Sequence, residues 1–238
     1  MSGIIPCVFL VARPAAGKSE VIDYLKKSSD EERLSRFHIG KVQEIDDFPY
    51  IWDWFEEDDI LSKLGKPRLH SKEDYYFIDE IYWDVCLYKI NNAFQKLQRD
   101  NPNLGVDTTA VIEFARGGDN AFAHAFSIME DQMLKMGGIC YIKVSYEESS
   151  RKNQRRKRKG LEDSVLFHSL PQEKMDYYYK TNDWDQIAPD LDGYLNVKGI
   201  NVPYAVLPNE PEVTDTKEKL GPALEDVFAR LYKRYSER

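Results

Sequence analysis

The 238 residues carry a formal net charge of −8, and 42% of them are hydrophobic, which excludes wholesale disorder and argues against a general nucleic-acid coat protein. No apolar run approaches the ~20 residues that span a bilayer, and no basic segment precedes the apolar residues 4–12, so we expect neither a membrane segment nor a secretion signal. Three widely spaced cysteines in apolar surroundings, Cys7, Cys86 and Cys140, predict buried reduced thiols and a cytoplasmic protein.

Strands and helices are predicted to alternate along the chain. The uninterrupted apolar run at 5–11 is typical of a strand buried on both faces. A helix at 18–27 and a weaker strand at 37–45 follow. The letters SKED at 71–74 have the form of a capping box, and apolar residues with helical spacing continue to position 97.

The second half of the chain continues the alternation. A third strand is predicted at 109–114, a helix capped by Asp119 comes next, and a fourth strand covers 139–145. Two further β candidates, 194–197 and 202–207, flank Gly199, and an amphipathic helix ends the chain. This order predicts an α/β fold: a five-stranded parallel sheet in the order 2-3-1-4-5, with helices on both faces. We expect a single domain over 1–238, with a helical insertion near 48–100 and a lid near 147–180.

The first predicted strand leads into a loop of small residues that ends in Gly17-Lys18-Ser19, and a helix follows. This arrangement fits a phosphate-binding loop with Ala12 in place of the first glycine. Backbone amides and the helix N-terminus would hold a polyphosphate, Lys18 would contact its β- and γ-phosphates, and the Ser19 hydroxyl would bind Mg²⁺. The residues expected at the nucleotide are Arg13, Pro14, Ala15, Ala16, Gly17, Lys18, Ser19 and Glu20.

Asp46 and Asp47 follow the second predicted strand, where a phosphoryl acceptor would lie. A carboxylate there can take the proton of an acceptor hydroxyl or hold a metal-bound water. A turn or helix cap before Pro49 is the alternative, and the strand phase does not say which aspartate faces the site. Residues 44–59 hold eight acids and no base, a charge that favours a neutral or cationic acceptor.

Glu113 ends the third predicted strand, next to the first, where it can coordinate Mg²⁺ through water. Arg116 follows in a glycine turn and can contact the acceptor or the transferring phosphoryl group; a surface arginine is the alternative. Seven of the nine residues at 151–159 are basic. They begin where a lid would begin, so we assign Arg151 and Arg155 to catalysis and Arg156 to the nucleotide. A nucleic-acid patch and a solvated basic helix stay open as alternatives.

Together these residues resemble the P-loop kinases of small molecules, most closely the uridine kinase, phosphoribulokinase and pantothenate kinase group. The resemblance covers about thirty residues and implies the three-layer fold of P-loop NTPases. It makes Asp46 the acceptor-activating aspartate and Glu113 an acid near Mg²⁺, and places Lys18 and Ser19 at the phosphates and metal. Ala12 and Pro49 depart from the pattern, since the family has Gly and Tyr there. The metal ligands expected are Ser19, Asp46 and Glu113.

The sequence therefore predicts a kinase that uses ATP and Mg²⁺ to phosphorylate a hydroxyl of a small molecule. A nucleoside monophosphate kinase is the nearest alternative, with Arg68, His70 and Arg116 around the acceptor phosphate. A nucleotide-dependent switch or nucleic-acid-binding protein is an alternative of another class, although the acidic charge disfavours a nucleic-acid partner. The acceptor, the choice between ATP and GTP, and the oligomeric state, including a homodimer, are left open.

Overall fold

Six strands form one sheet in a computed structural model that describes residues 3–155 and 170–238. The strand order is β2-β3-β1-β4-β6-β5, and the first five strands of that order run parallel. The strands are β1 (Cys7–Ala12), β2 (Lys41–Asp46), β3 (Thr108–Ala115), β4 (Gly137–Lys143), β5 (Asp192–Val197) and β6 (Ile200–Pro208). The alternating α/β architecture and the 2-3-1-4 order predicted from the sequence are confirmed.

The expectation of five parallel strands is wrong in one respect, because β5 adds a sixth, antiparallel strand at the edge. Both residues of the turn between β5 and β6 have positive φ, 52° at Lys198 and 80° at Gly199. Such a two-residue turn reverses the chain directly into a hairpin, whereas a parallel strand needs a long crossover. The fifth parallel position is therefore occupied by β6.

Helices cover both faces of the sheet, so the structure has three layers. They are α1 (Lys18–Lys27), α2 (Asp30–Glu32), α3 (Phe48–Lys63), α4 (Ile81–Asp100), α5 (Ala121–Ile128), α6 (Asp131–Met136), α7 (Tyr146–Arg155), α8 (Gln172–Tyr179), α9 (Trp184–Ile187) and α10 (Lys217–Glu237). None of the helices formed by the described residues combines the length and apolar composition needed to cross a membrane.

The core is divided by the sheet. On one face, helices α4, α5, α6 and α9 pack against the sheet, with Trp184 fully buried and its ring stacked on Tyr141 at a centroid distance of 4.1 Å. On the other face, α1 and α10 cover β1, β4 and β6. The three cysteines are buried and unpaired, as predicted, and burial raises the pKa of Cys86 and Cys140 to about 12.

Local capping signals in the sequence were less reliable than the apolar patterns. No helix starts at the predicted capping box; α4 begins at Ile81, whose backbone N–H donates to the Asp79 carboxylate at 2.9 Å. The start of α5 is capped by Asp183, from sixty residues downstream, and not by Asp119. The predicted strand at 37–45 begins late because residues 33–37 form a π-helical turn that ends at His38 with a φ of 54°.

Candidate functional site

The loop between β1 and α1 (residues 13–17, the β1–α1 loop) is tightly fixed. Ala15 and Gly17 have positive φ values of 54° and 112°. A Cβ at Gly17 would lie 2.7 Å from the Thr214 methyl group, so only glycine fits both the backbone and the space. Alternation of left-handed with other residues turns successive amides toward one side, a geometry that suits an anion.

The segment after β6 (residues 209–214, the β6–α10 segment) holds this loop from outside. The buried Asn209 side-chain amide donates to the Ala16 carbonyl at 2.8 Å and to the Thr214 hydroxyl at 2.9 Å, and its oxygen accepts the Val213 N–H at 2.7 Å. Sequence reasoning missed Asn209 and Thr214, since only the pairing of β6 beside β4 brings them to the loop.

Three carboxylates meet beside Lys18. Asp46 and Glu113 are register partners at the ends of β2 and β3, and the Lys18 Nζ lies 3.7 Å from the Glu113 Oε1. Glu44, two residues before Asp46 on the same strand, joins them, so that one oxygen of each carboxylate lies within 4.8 Å of the others. We call Glu44, Asp46 and Glu113 the carboxylate cluster. Of these, Glu44 was not predicted.

The cluster changes the acid strength of Asp46. Burial, together with the nearby charges of Glu113 and Asp47, raises the pKa of Asp46 to about 7. Its carboxylate accepts the Phe48 N–H at 3.0 Å, which keeps the side chain in place. Asp46 is therefore poised to exchange a proton near neutral pH, as a general base requires.

The donor set also fits a hard divalent cation. Such an ion binds carboxylate oxygens at 2.0–2.6 Å, so opposite ligands lie roughly 4–5 Å apart, comparable to the spacing within the cluster. Ser19, the third metal ligand expected from the sequence, is exposed in the first turn of α1 next to Lys18, and Glu20 is exposed beside it.

Asp47 points elsewhere and forms a buried ion pair with Arg116, with 2.5 Å between its Oδ2 and the NH1. The same guanidinium donates to the carbonyls of Ala115 at 2.7 Å and Trp83 at 3.3 Å. Burial opposes its charge, but Asp47 outweighs burial and raises the pKa of Arg116. Arg116, predicted to contact the acceptor or phosphoryl group, is thus held mainly by protein groups.

The basic run begins on α7, which contacts the β1–α1 loop through a hydrogen bond of 2.7 Å from the Ser149 hydroxyl to the Pro14 carbonyl. Its cations surround Glu212 of the β6–α10 segment: Lys152 at 3.1 Å, Arg155 at 3.2 Å and Arg151 at 3.7 Å. Arg151 also binds Glu148 through two hydrogen bonds of 2.6 Å.

Two further predicted nucleotide contacts have other outcomes. The Arg13 guanidinium donates to the backbone carbonyls of Tyr179 and Lys180, so it ties the β1–α1 loop to the end of α8. Arg156, like the rest of the basic run to 159, lies outside the described residues.

A cleft of about 450 Å³ opens beside the end of β3, between the N-termini of α4 and α5 and the end of α8. Its walls carry acidic, aromatic and imidazole side chains, among them Asp79, Glu80, Asp84, Trp83, His124 and Tyr178. At Gly117 a Cβ would lie 1.9 Å from the Tyr178 carbonyl, so the glycine turn after Arg116 allows α8 to close this side of the cleft.

Comparison with known proteins identifies no relative of this chain among protein families or curated proteins. A scan against models of protein families finds no match, and no curated protein is significantly similar in sequence.

Proposed function

We propose that this protein is a phosphotransferase that moves the γ-phosphoryl group of ATP, with Mg²⁺, to a hydroxyl of a small molecule. The observation that carries the proposal is the meeting of Lys18 with Glu113 and Asp46 at the carboxyl ends of three adjacent strands. In open α/β sheets, ligands bind at this edge. A lysine that directly follows the β1–α1 loop, beside an aspartate carboxylate, provides both a cation for phosphate binding and a base.

Each group has a role in this proposal. Amides of the β1–α1 loop and the Lys18 ammonium bind the phosphates, while the Ser19 hydroxyl, Asp46 and Glu113 hold Mg²⁺, joined by Glu44. When bound by these residues, Mg²⁺ would supply positive charge to neutralise the phosphates. Asp46 orients the acceptor hydroxyl and accepts its proton.

The neighbouring cations favour a hydroxyl acceptor over a phosphate acceptor. A nucleoside monophosphate kinase needs arginines free to bind the acceptor phosphate. Arg68 instead donates to Asp59 at 2.6 Å and to Ser71, and Arg116 is paired with Asp47. Both arginines are therefore occupied within the protein.

The test is a metabolite screen that measures ADP and GDP release from Mg-ATP and Mg-GTP, with Lys18→Ala as the matched control. We expect nucleotide consumption that depends on one class of hydroxyl compound and is lost in Lys18→Ala. Hydrolysis that no metabolite stimulates would favour a nucleotide-dependent switch. Salt-sensitive oligonucleotide binding without phosphotransfer would favour the nucleic-acid alternative.

A further inference from the structure

The cleft beside β3 is joined to the carboxylate cluster by one ion pair. Arg116 lines the cleft and binds Asp47, the residue after Asp46. Ala115, the last residue of β3, also lines the cleft and lies two residues after Glu113, so the cleft wall begins roughly 7 Å from the cluster along the strand. A volume of about 450 Å³ lies within the range of small-molecule sites.

The charge of the cleft walls is negative. Asp79, Glu80 and Asp84 line the cleft, and Arg116 is the one Lys or Arg among its described lining residues. Because the Arg116 charge is offset by Asp47, it does not balance these acids.

The hydrogen-bond partners of these carboxylates do not neutralise most of their negative charge. Asp79 accepts the Ile81 N–H, and Glu80 accepts the Tyr177 hydroxyl at 3.4 Å; both donors are neutral. Asp84 lies 2.8 Å from the His124 Nε2. Glu80 and Asp79 are exposed, so their carboxylates are open to a ligand.

Aromatic rings form the other part of the wall. The Trp83 and Tyr178 rings meet edge to face, with centroids 5.3 Å apart. The Trp83 ring also lies 5.1 Å from the Arg116 guanidinium carbon, so the rings supply apolar surface while the carboxylates attract a cation and repel an anionic ligand.

We propose that the cleft binds a polyhydroxylated amine, such as an amino sugar or aminocyclitol, whose ammonium group lies among Asp79, Glu80 and Asp84. This inference rests on the proposed function, since it makes that amine the phosphoryl acceptor, with a hydroxyl directed toward Asp46. The cleft volume of about 450 Å³ suits a ring-sized molecule better than a two-carbon amino alcohol.

Binding is tested first without nucleotide, by ligand-observed NMR on the full chain. The probes are three matched sets: glucosamine and 2-deoxystreptamine as cations, glucose and inositol as neutral analogues, and glucose 6-phosphate as an anion. We expect binding of at least one cation that weakens at high salt, and weaker or no binding of its neutral and anionic analogues. Stronger binding of the neutral or anionic probes, or no binding by either cation, would overturn the inference.

The variant Asp79→Asn/Glu80→Gln/Asp84→Asn removes the charge but keeps the shape of the walls, and Glu218→Gln on the exposed face of α10 is the control. We expect the triple variant to bind the cation at least tenfold more weakly and the control to bind it as the wild type does. Equal binding by the triple variant would reject the cleft as the site.

ADP release with Mg-ATP then separates the two proposals. Cation binding without phosphotransfer leaves the cleft assignment standing and removes the kinase. Phosphotransfer to a neutral or anionic acceptor supports the kinase and overturns the assignment of the cleft to an amine.

Discussion

Replacing Asp46 by asparagine should stabilise the protein in alkaline solution while it slows the proposed phosphotransfer. The pKa of Asp46 rises from 3.8 to about 7 on folding, so the folded protein binds this proton more tightly than the unfolded chain does. Stability is therefore lost as the pH rises from about 4 to about 7. Between pH 5 and pH 8 the Asp46 proton changes the free energy of unfolding by the equivalent of about two pH units. This is about 3 kcal/mol when screening by solvent is neglected. Because Asp46 keeps partial contact with solvent, we expect about 1–3 kcal/mol.

The assay is urea denaturation of wild type and Asp46→Asn at pH 5 and pH 8, followed by tryptophan fluorescence, with EDTA present to remove divalent ions. The stability of the variant relative to wild type should increase between the two pH values by that amount, because asparagine keeps the acceptor for the Phe48 N–H but carries no charge. Asp53→Asn, at an exposed position of α3, is the control and should show no such change. A pH-independent difference for Asp46→Asn would refute the reasoning. In the proposed phosphotransfer reaction the same substitution should lower turnover by about 10²–10⁴.

Three further substitutions test the surroundings of the cluster. Lys18→Ala should abolish the proposed phosphotransfer and weaken nucleotide binding, measured by calorimetry; wild-type affinity would contradict the phosphate role. Gly17→Ala should destabilise the protein by about 1–3 kcal/mol in urea denaturation, because the new methyl group meets Thr214 and φ is +112°; a neutral effect would show that the loop relaxes. Arg116→Ala should cost about 3–5 kcal/mol because it leaves Asp47 buried and unpaired, and Asp47→Asn combined with it should recover part of that loss. A double variant as unstable as Arg116→Ala alone would show that the arginine acts through packing.

The apolar patterns predicted the parallel sheet because burial acts on whole segments. Residues 7–12 are buried throughout, as expected of a central strand with helices on both faces, and the C-terminal helix buries Leu220, Leu224, Val227, Phe228 and Leu231 as its spacing predicts. The capping signal failed at 71–74 because the Ser71 hydroxyl donates to Asp58, and it failed at Asp119 because a cap needs only one nearby carboxylate. Tertiary structure supplied that carboxylate from Asp183 at α5. The edge strand itself was predicted, but its antiparallel direction was not. The turn at Lys198 and Gly199 sets that direction.

The sequence also predicted which residues of the candidate site come together, but not their hydrogen-bond and ion-pair partners. Lys18, Asp46 and Glu113 meet as strand order implies, since each stands at the end of its strand or begins the following helix. The partners that decide the charge of each group could not be predicted. Asp46 ends β2 and lies beside Glu113, whereas Asp47, one position later, turns into α3 with a φ of −84° and pairs with Arg116. Glu212, which pairs with three cations of α7, lies more than fifty residues away from them in sequence.

Two segments, α7 and the β6–α10 segment, hold the β1–α1 loop, and the strand order of the sheet places both of them beside it. β4 and β6 follow β1 in the sheet, so the segments that leave their carboxyl ends, α7 and the β6–α10 segment, both reach the loop. One binds the Pro14 carbonyl and the other the Ala16 carbonyl, and Glu212 links the two segments through the cations of α7. On the opposite side, Lys18 faces the ends of β2 and β3. A triphosphate on the loop would therefore lie between Lys18 and the carboxylate cluster on one side and cations neutralised by Glu212 on the other. Because phosphate carries more charge than one carboxylate, a triphosphate bound there would compete with Glu212 for Arg151 and Arg155, and this competition would couple the proposed nucleotide binding to the position of α7.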